Sequence, residues 1–117
     1  MKIIHIPLQL VSEANQRESH WAKHRRKKGQ QEIAAAYLRQ ENIDGLRPTR
    51  IGLTRVVPAS GKHAGKLMDD DNLAGCFKHV QDAIAKELGM DDGDIKWSYH
   101  QIRHGLEHFV DVVMEIP

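Results

Sequence analysis

Leu73, Phe77, Val80, Ile84 and Leu88 recur at intervals of three and four residues. That spacing lines apolar side chains along one face of an α-helix, and such a face has to be laid on another element. The neighbouring segments supply one, because they alternate instead. "RIGLTRVV" (50–57), "IKWSYHQIRH" (95–104) and "HFVDVVMEI" (108–116) have strand character. So does "KIIHIPLQL" (2–10), with Ile4, Ile6, Leu8 and Leu10 on one side. A second helix is expected in "SEANQRESHWAKHRRKKGQQEIAAAYLRQ", started by Asn15 with Glu18 as a capping box or by Ser19, and continuing across Gly29. The order β, α, β, α, β, β predicts an α+β domain over 1–117, a mixed sheet with two main helices packed on it. The helix that carries the apolar stripe is expected to run unbroken from Leu73 to Leu88 and to end at Gly89. The last two strands are expected to form a hairpin near Gly105.

With 117 residues, 40% hydrophobic and 28% charged, the chain has the composition of one ordinary globular domain. No apolar run approaches the roughly 20 residues that span a bilayer, so no membrane partner is expected. "MKIIHIPLQL" reads as a strand rather than a secretory signal. A lone cysteine, Cys76, excludes an internal disulfide framework and suits a reducing, cytoplasmic location.

The net charge of +1 hides an uneven distribution. Between Leu67 and Asp94 stand eight acids and two lysines, a local charge of −6, which leaves +7 for the remainder. Asp69, Asp70 and Asp71 precede the helix, and Asp91 and Asp92 follow it. Asp71 suits an N-cap for a helix beginning near Asn72. If the preceding segment is extended, Asp69 and Asp71 point the same way, a clamp for Mg²⁺ or Mn²⁺. A capped helix with solvated acids explains the same residues without a ligand. Lys78 and Asp82, four apart, share a helix face, where a surface ion pair is the plain explanation. The segment does not fit an EF-hand, since glycine falls at the seventh place and valine where the bidentate glutamate belongs.

"DDDNLAGCFKHVQDAIAKELGMDDGD" resembles the RusA-type Holliday junction resolvases, especially phage and prophage members. Their pattern is D-x-D-N, a helix carrying a lysine and an aspartate four later, then a D-D pair. Here it falls on Asp69–Asn72, Lys78, Asp82 and Asp91–Asp92. "NQRESHWAKHRRKK" is similar to a basic segment of the prophage-type members. The resemblance implies a RusA-like fold and a Mg²⁺-dependent, homodimeric endonuclease that nicks four-way junction DNA symmetrically, in recombination and repair. Carried over, Asp69, Asp71 and Asp92, with Asp91 as the fallback, hold metal, and Lys78 assists catalysis. Lys78 lies about one helical turn further from D-x-D-N than the family's lysine, so its role is the least direct of the four.

A duplex would reach this acidic island only past strong repulsion, so a basic surface is expected beside it. Arg17, Lys23, Arg25, Arg26, Lys27 and Lys28 form one candidate surface. Arg55, Lys62 and Lys66, in and beside the loop "PASGKHAGK", form another, expected to be mobile without DNA. The eight histidines show no zinc-ligand spacing with cysteine. Trp21 and Trp97 are expected in the core rather than as base-stacking platforms. A dimer interface is expected on apolar strand surface, with Ile4, Ile6, Val110 and Val112 as candidates. Two other readings remain: a non-catalytic DNA-binding module, and a metal-dependent phosphoesterase acting on other nucleic acid. The basic excess disfavours small substrates, which need no extended positive surface.

Overall fold

The alternating segments form β1 (Lys2–Ile6), β2 (Arg50–Val57), β3 (Lys96–Arg103) and β4 (Phe109–Glu115) in the structure, a computed structural model that describes residues 1–11 and 17–117. Pro7 has no N–H for a ladder and ends β1, although Leu8 and Leu10 remain buried beyond it. The four strands make one mixed sheet in the order β1–β4–β2–β3. β4 is antiparallel to β1 and to β2, and β3 is parallel to β2.

The expected hairpin is therefore absent, because β2 lies between β3 and β4 and pairs with both. Side-chain composition explains the order. β4 buries Val110, Val112 and Met114 completely, which suits a central strand. β3 carries Lys96, Ser98 and His100 outward and half-buried Trp97, Tyr99 and Gln101 inward, which an edge tolerates.

One sheet face carries Ile4, Ile6, Ile51, Leu53, Val110, Val112 and Met114 into a single core. Leu73, Phe77, Val80, Ile84 and Leu88 meet them there, with Ala34 and Leu38 from the first helix. Ile4, Ile6, Val110 and Val112 are at most 1% exposed, so the domain's own core uses the residues expected at a dimer interface. The apolar stripe from Leu73 to Leu88 is buried as expected, but on two helices. α2 (Asp70–Cys76) and α3 (Lys78–Leu88) meet at Phe77, where the Phe77 N–H donates three residues back to Ala74 O (3.3 Å) and Phe77 O restarts the ladder by accepting from Gln81 N (2.8 Å). Gly89 ends α3 with φ 72°, the left-handed conformation that favours glycine.

α1 (His20–Gln40) runs unbroken through Gly29, and Ser19 caps it by accepting from Ala22 N at 3.1 Å. The alternative cap, Asn15, lies outside the described residues, and Glu18 instead pairs with Arg26 at 2.5 Å. The buried residues of α1 are Gln30, Ala34 and Leu38, all in its C-terminal half. Trp21, expected in the core, is 69% exposed for that reason. Arg39 bonds Glu87 (3.0 Å) and Arg47 donates to Leu88 O (3.0 Å), so α1 and α3 bring their C-terminal ends together. Going back along the two helices from that end leads to the basic residues on α1, and through α3 to the aspartates on α2. Among the described residues no helix is long and apolar enough to cross a membrane.

Polar contacts connect the basic loop after β2 within itself and to its surroundings. Ala59 N donates to Gly105 O (3.1 Å), Gly65 N donates to Pro58 O (3.0 Å), and His108 Nε2 lies 3.2 Å from His63 O. A Cβ on Gly65 would fall 2.7 Å from Val57 Cβ, too close for any side chain. Gly65→Ala is therefore expected to lose about 1–3 kcal/mol through overpacking, read as a lower urea midpoint at unchanged m-value.

Candidate functional site at the acidic helix start

Asp69 is the N-cap of α2, with Oδ1 accepting from Asn72 N at 3.1 Å. This corrects the expected cap at Asp71, which stands in the first helical turn beside Asp70. The helix starts two residues early for the pleat that was to align Asp69 with Asp71. Around a helix start the two side chains diverge, since two residues correspond to roughly 200°. All three aspartates are exposed and favourably placed at a helix N-terminus.

What fixes Asp69 is the residue before it. Met68 N donates to Gln101 Oε1 at 2.9 Å, and Gln101 Nε2 donates back to Met68 O. The Gln101 amide thus pairs with a backbone segment as a strand would. Behind it Arg55 donates from Nε to Leu10 O (3.2 Å) and from Nη1 to Lys66 O (3.1 Å) and Gln101 Oε1 (3.4 Å). Arg55 is only 7% exposed, and burial lowers its pKa, opposed by the nearby Cys76. It was expected on a DNA-binding surface; it is mostly buried and braces this corner of the domain, and it also lines the cleft that Asp69 borders. Sequence reasoning missed Gln101. Its signal was an amide at an inward position of an alternating strand, in line with Trp97 and Tyr99.

The same strand face holds the second acidic segment. Trp97 Nε1 donates to Asp92 O at 2.8 Å. Tyr99 stacks on Phe77, with ring centroids 5.8 Å apart, and its hydroxyl donates to Gln81 Oε1 at 2.6 Å. Burial raises the Tyr99 pKa from its ordinary 10.0, and the charge of Asp92 raises it further against the Gln81 bond. Asp92 is thus the member of its pair facing β3, while Asp91 caps the turn with Oδ1 accepting from Gly93 N at 3.0 Å. Trp97 and Gln101 are four residues apart, so the anchors of the two acidic segments stand about 13 Å apart along β3.

A folded-state phenol pKa above its unfolded value stabilises the fold below about pH 10, and that contribution is lost as pH rises further. Wild-type protein should therefore lose stability above about pH 10 by a component that Tyr99→Phe does not lose. Thermal unfolding midpoints from about pH 8 to 11 check this.

Asp69 and Asn72 also line a cleft of about 690 Å³ with Gln9, His63, Lys66 and His108. Carboxylate oxygens suit Mg²⁺ or Mn²⁺. Among the described residues, however, no group of three or more His, Cys, Asp or Glu side chains is placed to hold a metal ion. Asp69, Asp71 and Asp92 are thus not gathered into a cage. Mg²⁺ commonly takes one or two carboxylates, keeps waters and fills the rest with substrate phosphate. A site of that kind asks for only one or two carboxylates, and Asp69 places one on the lining of the cleft.

Lys78 is exposed at the start of α3. Arg17, Lys23, Arg25 and Lys28 are exposed and Lys27 is half-buried. Arg26, in contrast, is held by Glu18, so it is not an open phosphate contact. Lys28 also borders the groove between α1 and α3, whose lining includes Glu32 and Asp82. Lys62 is exposed in the loop beside the cleft. The chain matches no protein-family model and no curated protein.

Proposed function

We propose that this chain is a structure-selective endodeoxyribonuclease that resolves four-way DNA junctions by paired, divalent-metal-dependent phosphodiester hydrolysis. The observation that carries the reading is Asp69, an exposed carboxylate oriented by its cap bond, on the lining of a cleft that also contains His63, Lys66 and His108. A carboxylate beside a lysine and two imidazoles suits a phosphate that must be both held and attacked. The RusA-like pattern around Asp69–Asn72 supports the same chemistry.

In this mechanism Lys66 and the histidines hold the phosphate in the cleft. Asp69 would bind Mg²⁺ or Mn²⁺, with Asp71 and Asp92 the further carboxylates available to it. The metal would supply charge neutralisation and an activated water when bound. The water oxygen bonds to phosphorus and gives up a proton as the bond to one sugar oxygen breaks in line, and the departing oxygen takes up a proton, leaving a phosphomonoester and a sugar hydroxyl. Lys78 offsets negative charge on the attacked phosphate. Symmetric nicking requires two sites about a two-fold axis, hence a homodimer. With Ile4, Ile6, Val110 and Val112 used by the core, the reading moves the interface to the opposite sheet face, where Ile3 is 62% and Ile102 48% exposed. A cytoplasmic location belongs to the same reading.

The lack of a three-ligand cluster among the described residues favours one alternative, a DNA-binding module without catalysis. Incubating synthetic four-way junctions and linear duplexes with the protein, with and without Mg²⁺, separates the two. Paired, Mg²⁺-dependent nicks in the junction alone support the nuclease. Tight junction binding with no nicks in either Mg²⁺ or Mn²⁺ makes the chain a binding module. Cutting of RNA or linear DNA instead points to a different phosphoesterase.

A further inference from the structure

The N-terminal half of α1 buries no residue before Gln30, yet it carries Trp21 with 69% of its surface exposed. Three, four and seven residues on stand His24, Arg25 and Lys28, all exposed. These intervals set one ring and three basic side chains on a single helical stripe about 10 Å long. No acidic residue occurs between His20 and Gln31. His20 packs edge-on against the indole, with centroids 5.6 Å apart and planes at 70°, which restrains the ring.

A large exposed indole among cations matches a ligand that offers both a flat π-face and negative charge. Unpaired nucleotides have both, in bases that stack on aromatic rings and in phosphates that cations hold. An anionic membrane surface would call for several apolar residues along the stripe, and Trp21 is alone there. A second copy of the stripe would bring like charges together.

We infer that the Trp21–His24–Arg25–Lys28 stripe is a single-strand contact, in which the indole stacks on an unpaired base and the cations hold the flanking phosphates. The inference rests on the reading that the chain engages DNA, but it concerns a surface apart from Asp69. At a junction it selects strands whose bases have left the duplex stack.

The test measures binding of a labelled thymidine oligomer, an abasic oligomer of equal length and an intact duplex, without Mg²⁺. Trp21→Ala should weaken thymidine-oligomer binding about tenfold and leave the other two within about twofold, because only the first offers accessible bases. Trp21→Phe should lose less. Arg25→Ala with Lys28→Ala should weaken all three and lower the salt slope by roughly one unit for each phosphate no longer neutralised. An exposed side chain is not needed for folding, and circular dichroism of each variant checks that. The inference is overturned if Trp21→Ala binds the thymidine oligomer like wild type, or weakens all three ligands equally. Binding to phosphatidylserine vesicles but to no oligomer also overturns it. Base-dependent binding without Mg²⁺-dependent nicking would keep the stripe and reject the nuclease. Nicking that Trp21→Ala leaves unchanged, with oligomer binding also unchanged, would do the reverse.

Discussion

Asp69→Asn should leave a folded protein that binds four-way junctions at least as tightly as wild type but cuts them at least about a hundredfold more slowly. The fold should survive because Asp69 contributes to it through the acceptor bond from Asn72 N, and asparagine is an equally good N-cap. Binding should hold or tighten because one negative charge is removed from the cleft proposed to receive phosphate. Cleavage should fall because an amide is a poorer ligand for a hard cation than a carboxylate. Asp71→Asn should act in the same direction if both carboxylates share the ion, and less strongly if the divergence around the helix start leaves Asp69 as the main ligand. Gel-shift and nicking assays on one junction, with thermal midpoints of each variant, separate binding, chemistry and folding. An Asp69→Asn protein that cuts at the wild-type rate removes Asp69 from the site.

Gln101→Leu should cost about 2–4 kcal/mol of stability and slow cleavage by about ten- to a hundredfold under conditions where the variant is folded. Leucine leaves Met68 N–H and Met68 O without their partner and takes away one acceptor of the buried Arg55. Each unsatisfied group in a part-buried place carries a desolvation cost. The effect on rate arises because Asp69 directly follows Met68, so freeing Met68 loosens the carboxylate's approach to the cleft. Gln101→Glu keeps the acceptor for Met68 N–H and for Arg55 but loses the donor to Met68 O, and should recover part of both losses. Urea unfolding gives the first quantity and nicking rates well below the midpoint give the second. A Gln101→Leu protein that unfolds early yet cuts normally would make Gln101 a structural brace with no influence on Asp69.

These two residues differ in how far the sequence revealed them. Asp69 stands in a run of carboxylates whose concentration is visible at once, and the acids and the lysine were all legible as candidates. Gln101 is one amide in a strand, and its partner is 33 residues away in the chain. Nothing local records that it closes on Met68. Arg55 was legible in part. Its charge suggested a surface role, and it does line the cleft beside Asp69, but Leu10 O, Lys66 O and Gln101 supply enough acceptors to bury most of it. Trp21 was misread for a related reason. Hydrophobicity argues for burial, but α1 is longer than the core beneath it, and only its second half finds a face to cover.

By itself the sequence determined the element types and the buried stripe. Periods of two and of three to four residues are local properties, and they survive whatever the strands pair with. It also determined that the acids cluster and that the rest of the chain is basic. Tertiary structure alone decided the strand order, since inserting β2 between β3 and β4 depends on which strand is apolar enough for the centre of the sheet. It decided that α2 begins at Asp70, which set Asp69 as the cap and took Asp71 out of line with it. It decided that one strand face, through Trp97, Tyr99 and Gln101, holds both acidic segments. Those outcomes come from hydrogen bonds and packing between residues far apart in the chain, and no local pattern encodes them.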